Sequence, residues 1–157
     1  MTQKVLVPHD GSEMSDRALN KAIEFAKLLK SEIIILHILD DKLIPSNAIM
    51  SLLGEKSSTV RDAKLQILNI VRIGAEQLLK ERTEKVRKNG INVRFIVGMG
   101  SPADGIADIA KNENVDLIIM GSKELTKENN DKLKLLGSVT RRVSEISDCS
   151  VMIVKSP

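Results

Sequence analysis

Two glycine corners carry the residues with the clearest chemical potential. Met120-Gly121-Ser122-Lys123 closes an apolar run, and Leu136-Gly137-Ser138-Val139-Thr140-Arg141-Arg142 opens a helical one. A strand ending in glycine, a loop, and a helix N-terminus is how α/β proteins hold phosphate. The free N–H groups of the first helical turn point at the anion, and the helix dipole adds about half a positive charge there. Gly137 lets a backbone approach closely, and Ser138 offers a hydroxyl donor. The competing reading is structural: Gly137 ends a loop and Ser138 N-caps the helix. On these residues alone both readings stay open.

A second group lies near the start of the chain. Pro8-His9-Asp10-Gly11-Ser12 follows the short apolar run Val5-Leu6-Val7. It reads as a turn at a strand's carboxyl end, with Ser12 as the N-cap of the next helix. His9 and His37 both sit at strand ends, but no acidic or cysteine partner stands at ligand spacing, so a structural role is preferred to a metal site. A phosphoacceptor role for Asp10 would need further acids and an acceptor at the end of the third strand, where Gly98-Met99-Gly100 stands instead. The lone Cys149 allows no internal disulfide and reads as a buried, inert thiol. There is no Gly-x-Ser-x-Gly elbow, no Walker lysine loop and no Ser/His/Asp order. The expectation is therefore a binding protein and not an enzyme.

The elements that must position these residues follow from composition and period. A chain of 157 residues, 42% apolar, can bury a core as one domain spanning 1–157. With two Phe and no Tyr or Trp, that core must be aliphatic. The same lack of aromatics removes the stacking platforms of single-strand nucleic-acid binders, and a net charge of only +3 gives no strongly basic surface. Met1 leads into a strand by residue 4 without a charged-then-apolar leader, and no apolar run approaches a membrane span. The expected location is the cytoplasm.

In order, Val5–Val7 reads as a buried parallel strand. Ala18, Leu19, Ala22, Ile23, Ala26 and Leu29 then stripe an amphipathic helix. Ile33 to Leu39 is a central strand. Residues 40–58 lack a period and suggest a lid or partner surface. Val60, Ala63, Ile67, Val71, Gly74 and Leu78 stripe one long helix that stops near Asn89-Gly90. Ile91, Val93, Phe95 and Val97 alternate with polar residues, as in an edge strand, and Gly98-Met99-Gly100 reads as the turn after it. Ser101-Pro102 opens a helix with an N-cap and a first-turn proline. Val115–Met120 is another buried strand, residues 123–134 are almost wholly polar, and Val139, Val143 and Ile146 stripe the last helix. Val151-Met152-Ile153-Val154 closes the chain as a strand. This β-α alternation predicts an α/β fold: a parallel sheet with right-handed crossovers and helices on both faces. Ligands in such sheets bind beyond the carboxyl ends of the strands, where strand order reverses.

Taken together these segments resemble the universal stress protein family over essentially the whole chain. The resemblance runs from Pro8-His9-Asp10-Gly11-Ser12, through Leu36-His37-Ile38, Val97-Gly98 and Val115–Ser122, to Leu136–Thr140 and the short last strand. It implies a five-stranded parallel sheet in the order 3-2-1-4-5, adenine-nucleotide α-hydrolase-like, with a homodimer formed through Val151, Met152, Ile153 and Val154. It also implies ATP, with Mg²⁺ accompanying it. Asp10 and the backbone around Ile38 would receive the base, with Pro8 and His9 lining the same cleft. Met120, Gly121, Ser122 and Lys123 would hold the phosphates with Gly137, Ser138 and Val139.

The chain departs from the ATP-binding pattern of that family in one place. The pattern is Gly, two residues, Gly, nine residues, Gly, then Ser or Thr. Here Glu124 stands where the second glycine is expected, and twelve residues separate it from Gly137. Carboxylates facing a triphosphate repel it, and a side chain in place of glycine blocks close backbone approach. Two functions from different classes follow: a stress-response module that binds ATP and acts through shape or partners, or a dimeric interaction protein of the same fold that binds no nucleotide. A slow ATPase is a third, for which no general base can be named.

Overall fold

The computed structural model describes residues 2–43, 46, 52, 57–122 and 136–156. The stretch 123–135, with Lys123 and Glu124, lies outside them, as does most of 44–56. In chain order the elements are β1 (Lys4–Pro8), α1 (Glu13–Leu29), β2 (Glu32–Asp40), a 3₁₀ turn (Asp41–Leu43), α2 (Ser57–Arg87), β3 (Val93–Gly100), α3 (Pro102–Asn112), β4 (Leu117–Gly121), α4 (Ser138–Ile146) and β5 (Ser150–Val154). The five strands form one parallel sheet in the order β3-β2-β1-β4-β5.

Strand side chains alternate between the two faces, and each face has its own helices. Val5, Val7, Ile33, Ile35 and Ile119 join Ala18, Leu19 and Ala22 of α1 and Leu79 and Val86 of α2 in one buried cluster. Leu6, Ile34, Leu36 and Ile118 join Ala103 and Ile106 of α3 and Val143 of α4 in the other. Consecutive residues of one strand thus serve opposite cores, which is why β1 and β2 read as unbroken apolar runs. The two Phe, Phe25 and Phe95, only flank the first cluster, so the core is aliphatic.

Three local expectations change. The turn at Gly98-Met99-Gly100 is strand: β3 continues to Gly100, pairing Gly98 with Ile38 and Gly100 with Asp40. Gly98 is there for space, since a Cβ on it would lie 2.7 Å from Ile38 Cδ1. Leu29 is 50% exposed, because α1 ends there in a left-handed Lys30 and turns away from the sheet. In α2, Val71 and Gly74 are exposed, and the buried positions are Ala75, Leu79, Thr83 and Val86. The cause is length. A helix of 31 residues spans about 46 Å, whereas the eight residues of β3 span about 26 Å. Only the C-terminal half of α2 can lie on the sheet, and its N-terminal half runs on beyond it.

Candidate functional site

Strand order reverses between β1 and β4, the place where a doubly wound sheet opens. These strands pair only at Val5 with Leu117 and Leu6 with Ile118, whereas β1 and β2 pair over five residues. Beyond Leu6 the ladder between β1 and β4 stops, and a cavity of about 840 Å³ lies past the strand ends. That volume is within the range of small-molecule sites. Pro8, His9, Asp10, Ile38, Met120, Gly121, Gly137, Ser138 and Val139 all line it. The two glycine corners, far apart in sequence, face the same space. They are also tied together, since Thr140 Oγ1 donates to the Gly121 carbonyl at 3.2 Å.

At the α4 end, Gly137 occupies the N-cap and Ser138 is the first helical residue. Ser138 is therefore not the cap, and glycine has no side chain to supply one. The first backbone bond of the helix is from Arg141 N to the Gly137 carbonyl, 3.0 Å. The N–H groups of Ser138, Val139 and Thr140 precede it and have no acceptor within the helix. Ser138 and Val139 are exposed, and no side chain among the described residues caps the helix. Free donors, a helix dipole and a hydroxyl converge on one end of the cavity, an arrangement suited to an anion.

Gly121 has a second reason to be glycine. A Cβ there would lie 2.6 Å from the Met14 carbonyl oxygen, so the end of β4 is pressed against the first turn of α1. Gly121→Ala is expected to cost about 1–3 kcal/mol of stability by overpacking, read as a lowered urea midpoint. Ser122 departs from expectation: among the described residues it does not line the cavity, its buried hydroxyl has no hydrogen-bond partner, and its N–H donates to the Val154 carbonyl. Lys123 falls outside the described residues.

At the β1 end, the turn is built around a buried imidazole. His9 N donates to the Leu36 carbonyl at 2.8 Å, continuing the ladder with β2, and the His9 carbonyl accepts from His37 Nδ1 at 2.8 Å. Gly11 N donates to His9 Nδ1 at 3.1 Å, so that nitrogen carries no proton and Nε2–H donates to Asp16 Oδ1 at 3.0 Å. The histidine is 2% exposed, and burial lowers its pKa from the ordinary 6.5 despite Asp16 beside it. Asp10 Oδ1 accepts from Ser15 Oγ at 2.6 Å and from Ser12 N at 3.0 Å. Burial alone would raise the Asp10 pKa, but these bonds outweigh it and hold the carboxyl below the ordinary 3.8. For Asp16, burial is likewise outweighed by Arg82 and His9.

The sign of the pH response follows. As pH falls through 6.5 the unfolded chain takes up a proton that folded His9 does not, so stability falls. Below 3.8, protonation of Asp10 and Asp16 removes what their depressed values contribute. Urea midpoints are expected to be flat near neutrality and to decline below 6.5, by at most about 1.4 kcal/mol per pH unit from this one group. In His9→Asn that upper limb should be lost.

Sequence reasoning missed several lining residues. Thr140, Asp40, and Ile67, Leu68 and Val71 of α2 also line the cavity. Ile67 and Val71 are spaced one turn apart, the signal of a helix face, yet that face covers the cavity and not the sheet. Cys149 is half-buried, not buried, and burial raises its thiol pKa. Among the described residues no cluster of three His, Cys, Asp or Glu is placed to hold a metal, and no helix is long and apolar enough to cross a membrane.

The sequence profile described as "Universal stress protein family" matches residues 1–155. The chain belongs to the universal stress protein family. It is 34% identical over 158 aligned positions to universal stress protein MJ0577 of Methanocaldococcus jannaschii, covering 99% of this chain and 96% of that protein. The solved structure of MJ0577 superposes with a TM-score of 0.80, covering 100% of this chain and 98% of that one. Universal stress protein YxiE of Bacillus subtilis is 32% identical, covering 99% of this chain and 100% of YxiE. A universal stress protein from Archaeoglobus fulgidus, solved in complex with dAMP, shares the fold at 21% identity and a TM-score of 0.63, covering 99% of this chain and 98% of that one. The strand order implied by the resemblance is the order found.

Proposed function

We propose that this universal stress protein is an adenine-nucleotide-binding regulatory module whose ligand is ATP, with Mg²⁺ carried on its phosphates. One observation carries the reading: the glycine-capped N-terminus of α4, with no side-chain cap among the described residues, opens into a cavity of about 840 Å³ that Asp10 also lines. Triphosphate fits the N–H groups of Ser138 and Val139, and the base and ribose fit the end with Asp10 and the Ile38 backbone. A relative of the same fold holding dAMP supports the nucleotide class. No residue is assigned a catalytic step. The module acts by changing shape or partner on binding, and it works in the cytoplasm.

Native mass spectrometry for co-purified nucleotide, followed by thermal shift with millimolar Mg-ATP, tests this. Retained or added nucleotide should raise the melting temperature. If neither is seen, the chain is an interaction protein on the same scaffold, the reading favoured by Glu124 and the lengthened loop.

We further propose a homodimer through β5. Val151, Met152, Ile153 and Val154 are only partly buried, and β5 stands at the sheet edge with one side of its backbone unpaired within the sheet. Apolar edges of this kind are normally covered or paired, and an isologous pairing covers both at once. Light scattering at micromolar concentration should give twice the 17.3 kDa chain mass, and a monodisperse monomer would contradict it.

A further inference from the structure

The described ion pair of longest sequence separation between helices touches the cleft indirectly. Arg82 of α2 donates from Nε to Asp16 Oδ1 at 2.7 Å and from its terminal nitrogen to Oδ2 at 3.3 Å. The same Asp16 Oδ1 accepts from His9 Nε2 at 3.0 Å. Nδ1 of that imidazole accepts the N–H of Gly11, a residue at φ +85 that only glycine adopts at little cost. Asp10 lies between His9 and Gly11. One of its carboxylate oxygens is held by Ser12 and Ser15. A second contact reaches the same turn from α2, because Leu78 Cδ2 lies 3.4 Å from where a Gly11 Cβ would stand. The same rigid helix, two to four turns toward its N-terminus, supplies Ile67, Leu68 and Val71 to the cavity wall.

We propose that Arg82 is a positioning residue of the cleft: acting through Asp16 and His9, it fixes the imidazole tautomer that holds Gly11 N–H, aims Asp10, and so couples α2 to the occupancy of the site. This rests on the nucleotide reading given above. The guanidinium pins Asp16 as a carboxylate with both oxygens engaged, and one oxygen keeps the proton of His9 on Nε2. Nδ1 is then an acceptor, and the Gly11 N–H has a partner in a turn that no helix or strand satisfies. With the tautomer reversed, two N–H groups would face each other at Gly11 and the turn could not keep its shape. The charged and titratable groups facing His9 are Asp16 from α1, Arg82 from α2, Asp10 from its own turn and His37 from β2. Filling the cleft loads Asp10 and the α2 wall together, so the turn and α2 respond as one unit.

The test compares Arg82→Gln, Arg82→Lys and Val86→Ala. Val86 is fully buried on the same helix and does not line the cavity, so its variant reports loosening of α2. Titration calorimetry with Mg-ATP should show about tenfold weaker binding for Arg82→Gln, partial recovery for Arg82→Lys, and unchanged affinity for Val86→Ala. The ¹⁵N resonances of the His9 ring and the Gly11 amide, recorded without nucleotide, should report Nε2–H in the parent and a shifted tautomer population in Arg82→Gln. Equal Mg-ATP affinity in Arg82→Gln and the parent overturns the coupling. If the parent binds no Mg-ATP, the nucleotide reading falls and the resonances decide the positioning role: a tautomer shift supports it and unchanged resonances overturn it.

Discussion

Ser138→Glu is expected to abolish nucleotide binding while leaving the fold as stable as before or slightly more so. The two effects have opposite signs because the helix terminus has two possible customers. Ser138 is the first residue of α4 and is exposed, so a carboxylate there faces the positive end of the dipole and gains about 0.3–1 kcal/mol. The same carboxylate competes for the N–H groups proposed to hold phosphate. A unit charge about 4 Å from another costs roughly 4 kcal/mol at the effective dielectric near a protein surface. At about 1.4 kcal/mol per decade, that is a loss of at least a hundredfold in affinity. Ser138→Ala removes only a hydroxyl and should cost about tenfold or less. Calorimetric titration with Mg-ATP beside a thermal melt reads both quantities. A Glu variant that binds as well as the parent would place the phosphates elsewhere.

The second large effect concerns how α2 is held. Leu79 is fully buried and joins the core cluster of α1, β1 and β2. Among the described residues only Ala75, Leu79, Thr83 and Val86 of this helix are buried, so Leu79 is its largest anchor. Leu79→Ala is expected to cost about 2–5 kcal/mol, a large share of the roughly 5–15 kcal/mol that holds a domain together. The melting temperature should fall by on the order of ten degrees. Leu65→Ala, on the half of α2 beyond the sheet and 57% exposed, should move stability by no more than about 0.5 kcal/mol. Equal losses from the two would mean that α2 packs along its whole length.

The contrast between Leu79 and Leu65 also shows what the sequence could and could not convey. The stripe read from the sequence, Val60 to Leu78, holds neither of them, and period alone says which residues share a face, not what lies opposite that face. The strands were legible because parallel strands buried on both sides must be apolar throughout, as Val5–Val7 and Ile33–Leu36 are. Boundaries were harder. Gly98 and Gly100 looked like a turn, but Gly98 is a space cleared for Ile38, a contact between residues sixty positions apart.

The candidate site divides the same way. Asp10, Gly121, Gly137 and Ser138 could be found because glycine and acid at strand ends are local signals with a chemical meaning. Ser122 was read with its neighbour Gly121 into the phosphate corner, whereas its N–H donates to the Val154 carbonyl and it does not line the cavity. Arg82 was not legible at all. An arginine amid the Lys/Glu-rich end of a long helix, with Arg87 close by, carries no mark of its tie to Asp16, a residue 66 positions away.

The most direct test is a titration of ¹⁵N-labelled protein with Mg-ATP, followed through the backbone amides. Gly137, Ser138 and Val139 are expected to move together with Asp10, at the two ends of one cavity, and to saturate at one concentration. Resonances at both corners that stay still at millimolar nucleotide, while the fold is intact, would contradict it.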